Sequence, residues 1–272
     1  MEISELGEFG LISQLTSDIK LENESSIKGV GDDCAILAPA EGMRTLVTTD
    51  LLMEGVHFDL TYVPLYCLGY KAVMVNLSDV YAMGGTPRQI TVSLAISRRF
   101  RVEDIAEIYR GLRMACAKHH VDIVGGDTTS SFTGLAISIT AIGEARPEEI
   151  VCRDGAQDTD LICVSGNLGA AYMGLQLLER ERAVYNQQLA EAKKSGNKDE
   201  MARLQDFQPD VSGREYLLER QLKPEARADI IATLRKAGIH PTSMMDISDG
   251  LSSELMHICT QSHVGCRVYE ER

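Results

Sequence analysis

The chain has 272 residues, 44% hydrophobic and 25% charged, with 40 Asp+Glu against 27 Lys+Arg and a formal charge of −13. That length supports one large or two ordinary domains with real cores, and the acidic balance argues against a nonspecific nucleic-acid binder, which needs a basic face. No membrane span is read, for want of a long apolar run; no secretory leader is read in "MEISELGEFG"; and the seven cysteines lack C-x-x-C spacing, so reduced, mostly buried thiols in a cytoplasmic protein are expected and zinc is not.

In chain order, residues 5–19 read as a helix with Leu6, Phe9, Ile12 and Leu15 on one face. "CAILAPAEGMRTLVTT" reads as two strands joined by a Pro/Gly turn at 39–42, and 65–83 as a largely apolar, buried helix. The segment 89–97 alternates as a strand, with Ile90, Val92, Leu94 and Ile96 inward. Val102, Ile105, Tyr109, Leu112 and Cys116 step by three and four, which predicts an amphipathic helix. "VDIVGG" is a short strand and 134–145 a longer one. The Pro/Asp/Gly-rich stretch 146–158 marks a domain boundary, which divides the chain into 1–148 and 149–272.

Beyond it a strand is expected at 160–165, then the turn "SGNLG" opening a helix near 168. Residues 180–212 read as a charged, solvated helical excursion. A helix at 225–237, a strand at 242–247, a helix after Gly250 and a strand at 264–269 follow. The expected class is α/β with mixed sheets in two domains, the second ending on a strand and so expected to be incomplete.

Chemistry concentrates in acidic clusters. "GDDCA" (31–35), "TTD" (48–50), "NLSD" (76–79), "GGDTT" (125–129) and "MMDISDG" (244–250) place Asp33, Asp50, Asp79, Asp127, Asp246 and Asp249 near the ends of elements. Aspartate also favours turns and helix caps for local reasons; recurrence in five clusters favours a shared crevice. Two carboxylates about 5 Å apart repel by roughly 3 kcal/mol at an effective dielectric of about 20. Several together therefore require cations, and an oxygen-only donor set selects Mg²⁺ or Ca²⁺. Mg²⁺ shares itself with phosphate oxygens, which points to a phosphorylated ligand. No P-loop, Rossmann or protein-kinase motif is present. "SGNLGAAYMG" is read either as an anion-binding helix start or as a tight strand-to-helix turn. Met83 with Gly84-Gly85 reads as helix termination, Arg220 and Arg227 as structural, and Cys34 as a core residue.

Taken in order, "GVGDDCAIL", "TTDLLMEGVHF", "YKAVMVNLSDVYAMGGTP", "IVGGDTT", "RDGAQDTDLICVSGNLG", "LKPEAR" and "MDISDGLSSEL" resemble thiamine-monophosphate kinase. That family belongs to the ATP-binding superfamily of aminoimidazole-ribonucleotide synthetase and selenophosphate synthetase. The resemblance implies phosphorylation of thiamine monophosphate by ATP with several Mg²⁺ ions. It also implies an N-terminal domain whose sheet dimerises into a barrel, and a homodimer. It matches Asp33, Thr48, Thr49, Asp50, Asp79, Asp127, Asp246 and Asp249 to metal ligands. Tyr109, Gly126, Asp127, Arg153 and Ser248 match nucleotide contacts, and His57 a substrate contact. No general base or covalent nucleophile is implied. Another phosphotransferase or ligase of the superfamily, a nucleotide-binding scaffold without turnover and a Ca²⁺ module are the alternatives. The family's pattern continues beyond the last strand expected here, and there an acidic residue and an aromatic join the thiamine pocket.

Overall fold

The computed structural model describes residues 3–30, 34–196 and 212–269. Helix α1 (Ile3–Thr16) is kinked at Gly7, whose φ of 73° no helix interior tolerates. It seats Leu11 and Leu15 in the core. Two short strands, β1 (Ser26–Lys28) and β2 (Ile36–Leu37), pair antiparallel. The main sheet takes β3 (Arg44–Met53), β4 (Thr86–Ser97), β5 (Asp122–Ser131) and β6 (Ala136–Ala145) in the order β3-β6-β4-β5. Its pairs are antiparallel except β4 with β5. That parallel pair requires a crossover, supplied by α3 (Val102–His119).

Helix α2 (Leu65–Ala82) lies across β3, β4 and β6 and packs against α3. The inward positions read from alternation, Ile90, Val92, Leu94 and Ile96, are buried, as are Ile137, Ile139 and Ala141 opposite them. Each large side chain of this kind stabilises the fold by about 1.5–3 kcal/mol. Val102, Ile105, Tyr109, Leu112 and Cys116 of α3 are buried too. The two helices approach through a reciprocal glycine contact. A Cβ on Gly69 would collide with the Ile108 carbonyl, and one on Gly111 with the Tyr66 carbonyl. The sheet's other face is open, with Thr91, Ser93, Ser138 and Thr140 in register with β3 and with Val47, Leu51 and Met53 exposed.

After Ala145 the described α-helices are α4 (Ala170–Ser195), α5 (Glu215–Leu222), α6 (Ala228–Ala237) and α7 (Leu251–Ser262), joined by irregular chain. The end of α5, its connection to α6 and the start of α6 dock on α2 and α3. The Tyr70 hydroxyl donates to Glu225 Oε1 at 2.7 Å, and Lys118 Nζ pairs with Glu225 Oε2 at 2.7 Å. Lys71 Nζ donates to the Gln221 carbonyl at 3.2 Å, while Ala226 and Ile231 join the core.

Three expectations change here. The strands expected at 160–165, 242–247 and 264–269 are irregular segments without strand pairing. Side-chain bonds hold the first two instead, among them Thr242 Oγ1 to Asp160 Oδ2 at 2.6 Å and Ser243 Oγ to the Arg153 carbonyl at 3.0 Å. Alternation reports a face and not a partner, and Leu161 at 88% and Val268 at 61% exposure bury little. The charged excursion is regular helix as far as Ser195, with α5 unforeseen, and residues 197–211 lie outside the described residues. Of the thiols expected to be buried, Cys116 is, whereas Cys34, Cys152, Cys163 and Cys266 are exposed. Met83 does terminate its helix, followed by Gly84 at φ 74°.

Candidate active site

Strand β3 carries Thr48 and Asp50 on the face toward α2, because alternate residues of a strand share a face. The Thr48 hydroxyl donates to Asp79 Oδ2 at 2.6 Å. β3 is an edge strand, and the Asp50 N–H has no strand to bond; Asn76 Oδ1 of α2 accepts it at 3.0 Å. Asn76 is 1% exposed and donates its own amide to the Ala72 carbonyl at 3.0 Å. One helix thus fixes both the strand and the facing carboxylate: Asn76 and Asp79 lie three residues apart, on neighbouring positions of one helical face.

Asp246, in the segment before α7, completes the group, with Ser78 close enough to oppose the rise in its pKa. Three carboxylates from three parts of the chain now face one another. Burial, then the Asp246 charge, raises the pKa of Asp50, with His57 opposing. Burial and Asp50 raise that of Asp79 against the Thr48 hydrogen bond and Arg153. Burial and Asp79 raise that of Asp246, again against Ser78 and Arg153. Each prefers its neutral form more than a free carboxyl does, so the group attracts whatever cation neutralises it. Among the described residues no three His, Cys, Asp or Glu side chains close round one point. The carboxylates are near enough to feel each other without closing round one point. That suits a hard cation that keeps waters and shares phosphate oxygens better than an all-protein cage.

The remaining expected positions divide. His57 Nδ1 accepts the Met53 N–H at 3.0 Å, which orients the ring beside the cluster. It lines a cavity of about 210 Å³ with Asp59, Lys71, Glu179 and Arg182. Burial lowers the pKa of the Lys71 ammonium there. Thr49 points to the opposite sheet face, its hydroxyl donating to the Ile139 carbonyl at 3.1 Å. Asp127 and Gly126 sit on β5, three strands from β3 or about 14 Å. Asp127 is in register with Ser93, Ser138 and Leu51, hence on the face away from Asp50. Tyr109 is only 7% exposed, and burial pushes its hydroxyl up to about 12, so its phenol belongs to the core rather than to an open nucleotide surface. Ser248 and Asp249 are exposed at the start of α7, and Asp33 lies outside the described residues.

Two residues went unrecognised in the sequence. One is Asn76, hidden inside its own motif. The other is Glu254, 3% exposed in the first turn of α7. Its Oε1 accepts the Asp249 N–H at 3.2 Å, and its buried Oε2 has no partner among the described residues. An acidic residue in the first turn of a helix was the available signal.

Residues 31–145 match the family model "AIR synthase related protein, N-terminal domain". The chain is 35% identical over 275 residues to thiamine-monophosphate kinase of Aquifex aeolicus, covering all of this chain and 76% of that one. It is 31% identical over 268 residues to the Bacillus subtilis enzyme, covering 97% and 74%. Among solved structures, thiamine-monophosphate kinase of Stenotrophomonas maltophilia superposes with a TM-score of 0.72 at 31% identity, over 94% of this chain and 72% of that one. AaThiL complexed with AMPPCP and TMP superposes at 0.67 with 33% identity, over 97% and 72%.

Proposed function

Since the chain belongs to the thiamine-monophosphate kinase family, we propose that the carboxylate cluster is where it transfers the γ-phosphoryl group of ATP, in line, to the phosphate of thiamine monophosphate. The observation that carries this reading is the convergence of Thr48 and Asp50, Asp79 and Asp246 from a strand, a helix and a loop. Asp50, Asp79 and Asp246 would hold Mg²⁺, whose donor preference they fit. Bound there, Mg²⁺ neutralises phosphate charge so that two anionic reactants can meet. Arg153, close enough to affect Asp79 and Asp246, adds a fixed positive charge for the nucleotide phosphates. No general base is needed, because the attacking phosphate oxygen is already ionised near neutral pH. His57 and its cavity stand beside the cluster, placed to hold the rest of the acceptor.

A homodimer through the open sheet face would cover Val47, Leu51 and Met53 and carry Thr49 and Asp127 to the interface. This gives those two residues, turned away from the Asp50 face within one chain, a place in a composite site. A cytoplasmic location accords with this reading.

The test is product formation. The purified chain is mixed with ATP, Mg²⁺ and thiamine monophosphate, and thiamine diphosphate is followed by chromatography. Product that needs both ATP and Mg²⁺, and falls by about 100-fold or more in Asp79→Asn, supports the reading. A folded Asp79→Asn variant with wild-type turnover sinks it.

A further inference from the structure

A second concentration of charge, whose arginines are not among the groups that act on Asp50, Asp79 or Asp246, lies where the turn before α4 meets α5 and α6. Gly166 adopts φ 90° and Gly169 φ 78°, so the turn "SGNLG" runs through two left-handed glycines. Two guanidinium groups converge on it. A Cβ built on Gly166 would stand 3.2 Å from Arg227 Nη1 and 3.9 Å from Arg220 Nη2. The glycine thus leaves open the space between the two cations, in a conformation that other residues rarely adopt.

The charges there do not balance. Arg227 spends Nε and Nη2 on the Asp229 carboxylate, at 2.9 and 3.0 Å, which leaves Nη1 directed at the turn. Arg220 has no carboxylate partner among the described residues, and its Nε is buried without a hydrogen-bond partner. The N–H groups of Gly166, Asn167, Leu168 and Gly169 likewise find no acceptor among the described residues, and all four residues are exposed. Two guanidiniums against one carboxylate, with free backbone donors beside them, make a site for one oxyanion.

We propose that Arg220, Arg227 and the Gly166 turn form a metal-independent phosphate seat, separate from the Mg²⁺-binding carboxylates. Guanidinium donors and backbone N–H groups arriving from different directions suit a tetrahedral oxyanion better than a planar carboxylate. The choice of phosphate among such anions rests on the kinase reading, in which every substrate and product carries phosphate.

The seat is tested on the full chain, freed of metal with EDTA and titrated with inorganic phosphate at constant ionic strength. Binding is followed by calorimetry and by ³¹P line width. Wild type is expected to bind phosphate saturably. Arg220→Gln should weaken binding by about tenfold or more, the loss of a charge-assisted contact. Asp229→Asn releases the Arg227 fork and should tighten binding, a change that misfolding does not mimic. Absence of saturable binding in wild type, or unchanged affinity in folded Arg220→Gln, overturns the proposal. The product assay runs in parallel and separates the two readings. Thiamine diphosphate made by a chain that binds no phosphate without metal removes the seat alone, whereas phosphate binding without product removes the kinase reading alone.

Discussion

Replacing Asn76 with alanine tests whether one buried amide joins the stability of the sheet edge to the geometry of the site. The substitution removes the acceptor of the Asp50 N–H and the donor to the Ala72 carbonyl, both bonds 3.0 Å long. The Ala72 carbonyl keeps its helical partner, so that loss is small. The Asp50 N–H is left half-buried and unpaired, at a cost of about 1–3 kcal/mol. Three heavy atoms vanish from a position only 1% exposed, and the incompletely closed space adds about 1 kcal/mol. The sum is about 3 kcal/mol, or about 6–12 °C in Tm for a domain of this size. Asn76→Leu fills the space without restoring the acceptor, and should recover only the packing share. With its N–H released, Asp50 moves against Asp79, and turnover should fall by about 100-fold. Urea and thermal unfolding, with the product assay on the folded fraction, measure both effects. An alanine variant that melts within about 2 °C of wild type and turns over normally would refute the reasoning.

Further outcomes are expected at three other positions. Gly111→Ala drives a methyl group into the Tyr66 carbonyl, which cannot yield as a side chain would; about 3 kcal/mol or more should be lost, and wild-type melting would contradict the close helix contact. Glu254→Gln keeps an acceptor for the Asp249 N–H while removing a buried charge with an unpartnered oxygen. The metal-free variant should therefore melt no lower than wild type in EDTA, and a clear fall in Tm would show that the charge is compensated. Burial lowers the His119 pKa, partly offset by Glu225. The folded protein therefore keeps this ring neutral where the unfolded chain, titrating near about 6.5, takes up a proton. Its stability contribution is complete above the unfolded value and is lost as pH falls from there through the lowered folded one. Urea midpoints in wild type should drop between about pH 7.5 and pH 5 more than in His119→Gln, and equal drops would dismiss His119 as the source.

The sheet and its two covering helices were legible because their signals are local and mutually consistent. Ile90, Val92, Leu94 and Ile96 alternate, Val102 through Cys116 step at helical spacing, and both patterns bury the residues they single out. The motifs carried Asp50, Asp79 and Asp246 to one place, yet the same spacing grouped Thr49 with them although the strand turns it to the other face. Asp127 shows a related limit, since adjacency in a sheet depends on strand order, and no short window reports that β5 is three strands from β3. The apolar alternations at 160–165, 242–247 and 264–269 look like strands for the same reason: pairing is a property of neighbours. Arg220 and Arg227 read as structural until the turn at Gly166, more than fifty residues earlier, appears beside them.

Helix α2 offers no idle surface on which substitutions could accumulate unnoticed. Gly69 accommodates α3, Tyr70 and Lys71 receive the helices that follow the sheet, Asn76 holds the edge strand, and Ser78 and Asp79 address the carboxylates. Most changes along these eighteen residues are therefore pleiotropic. Drift in this segment must be slow or arrive in compensated pairs, and an engineer seeking to alter the chemistry would do better to work from β3 or the segment before α7 than from the helix between them.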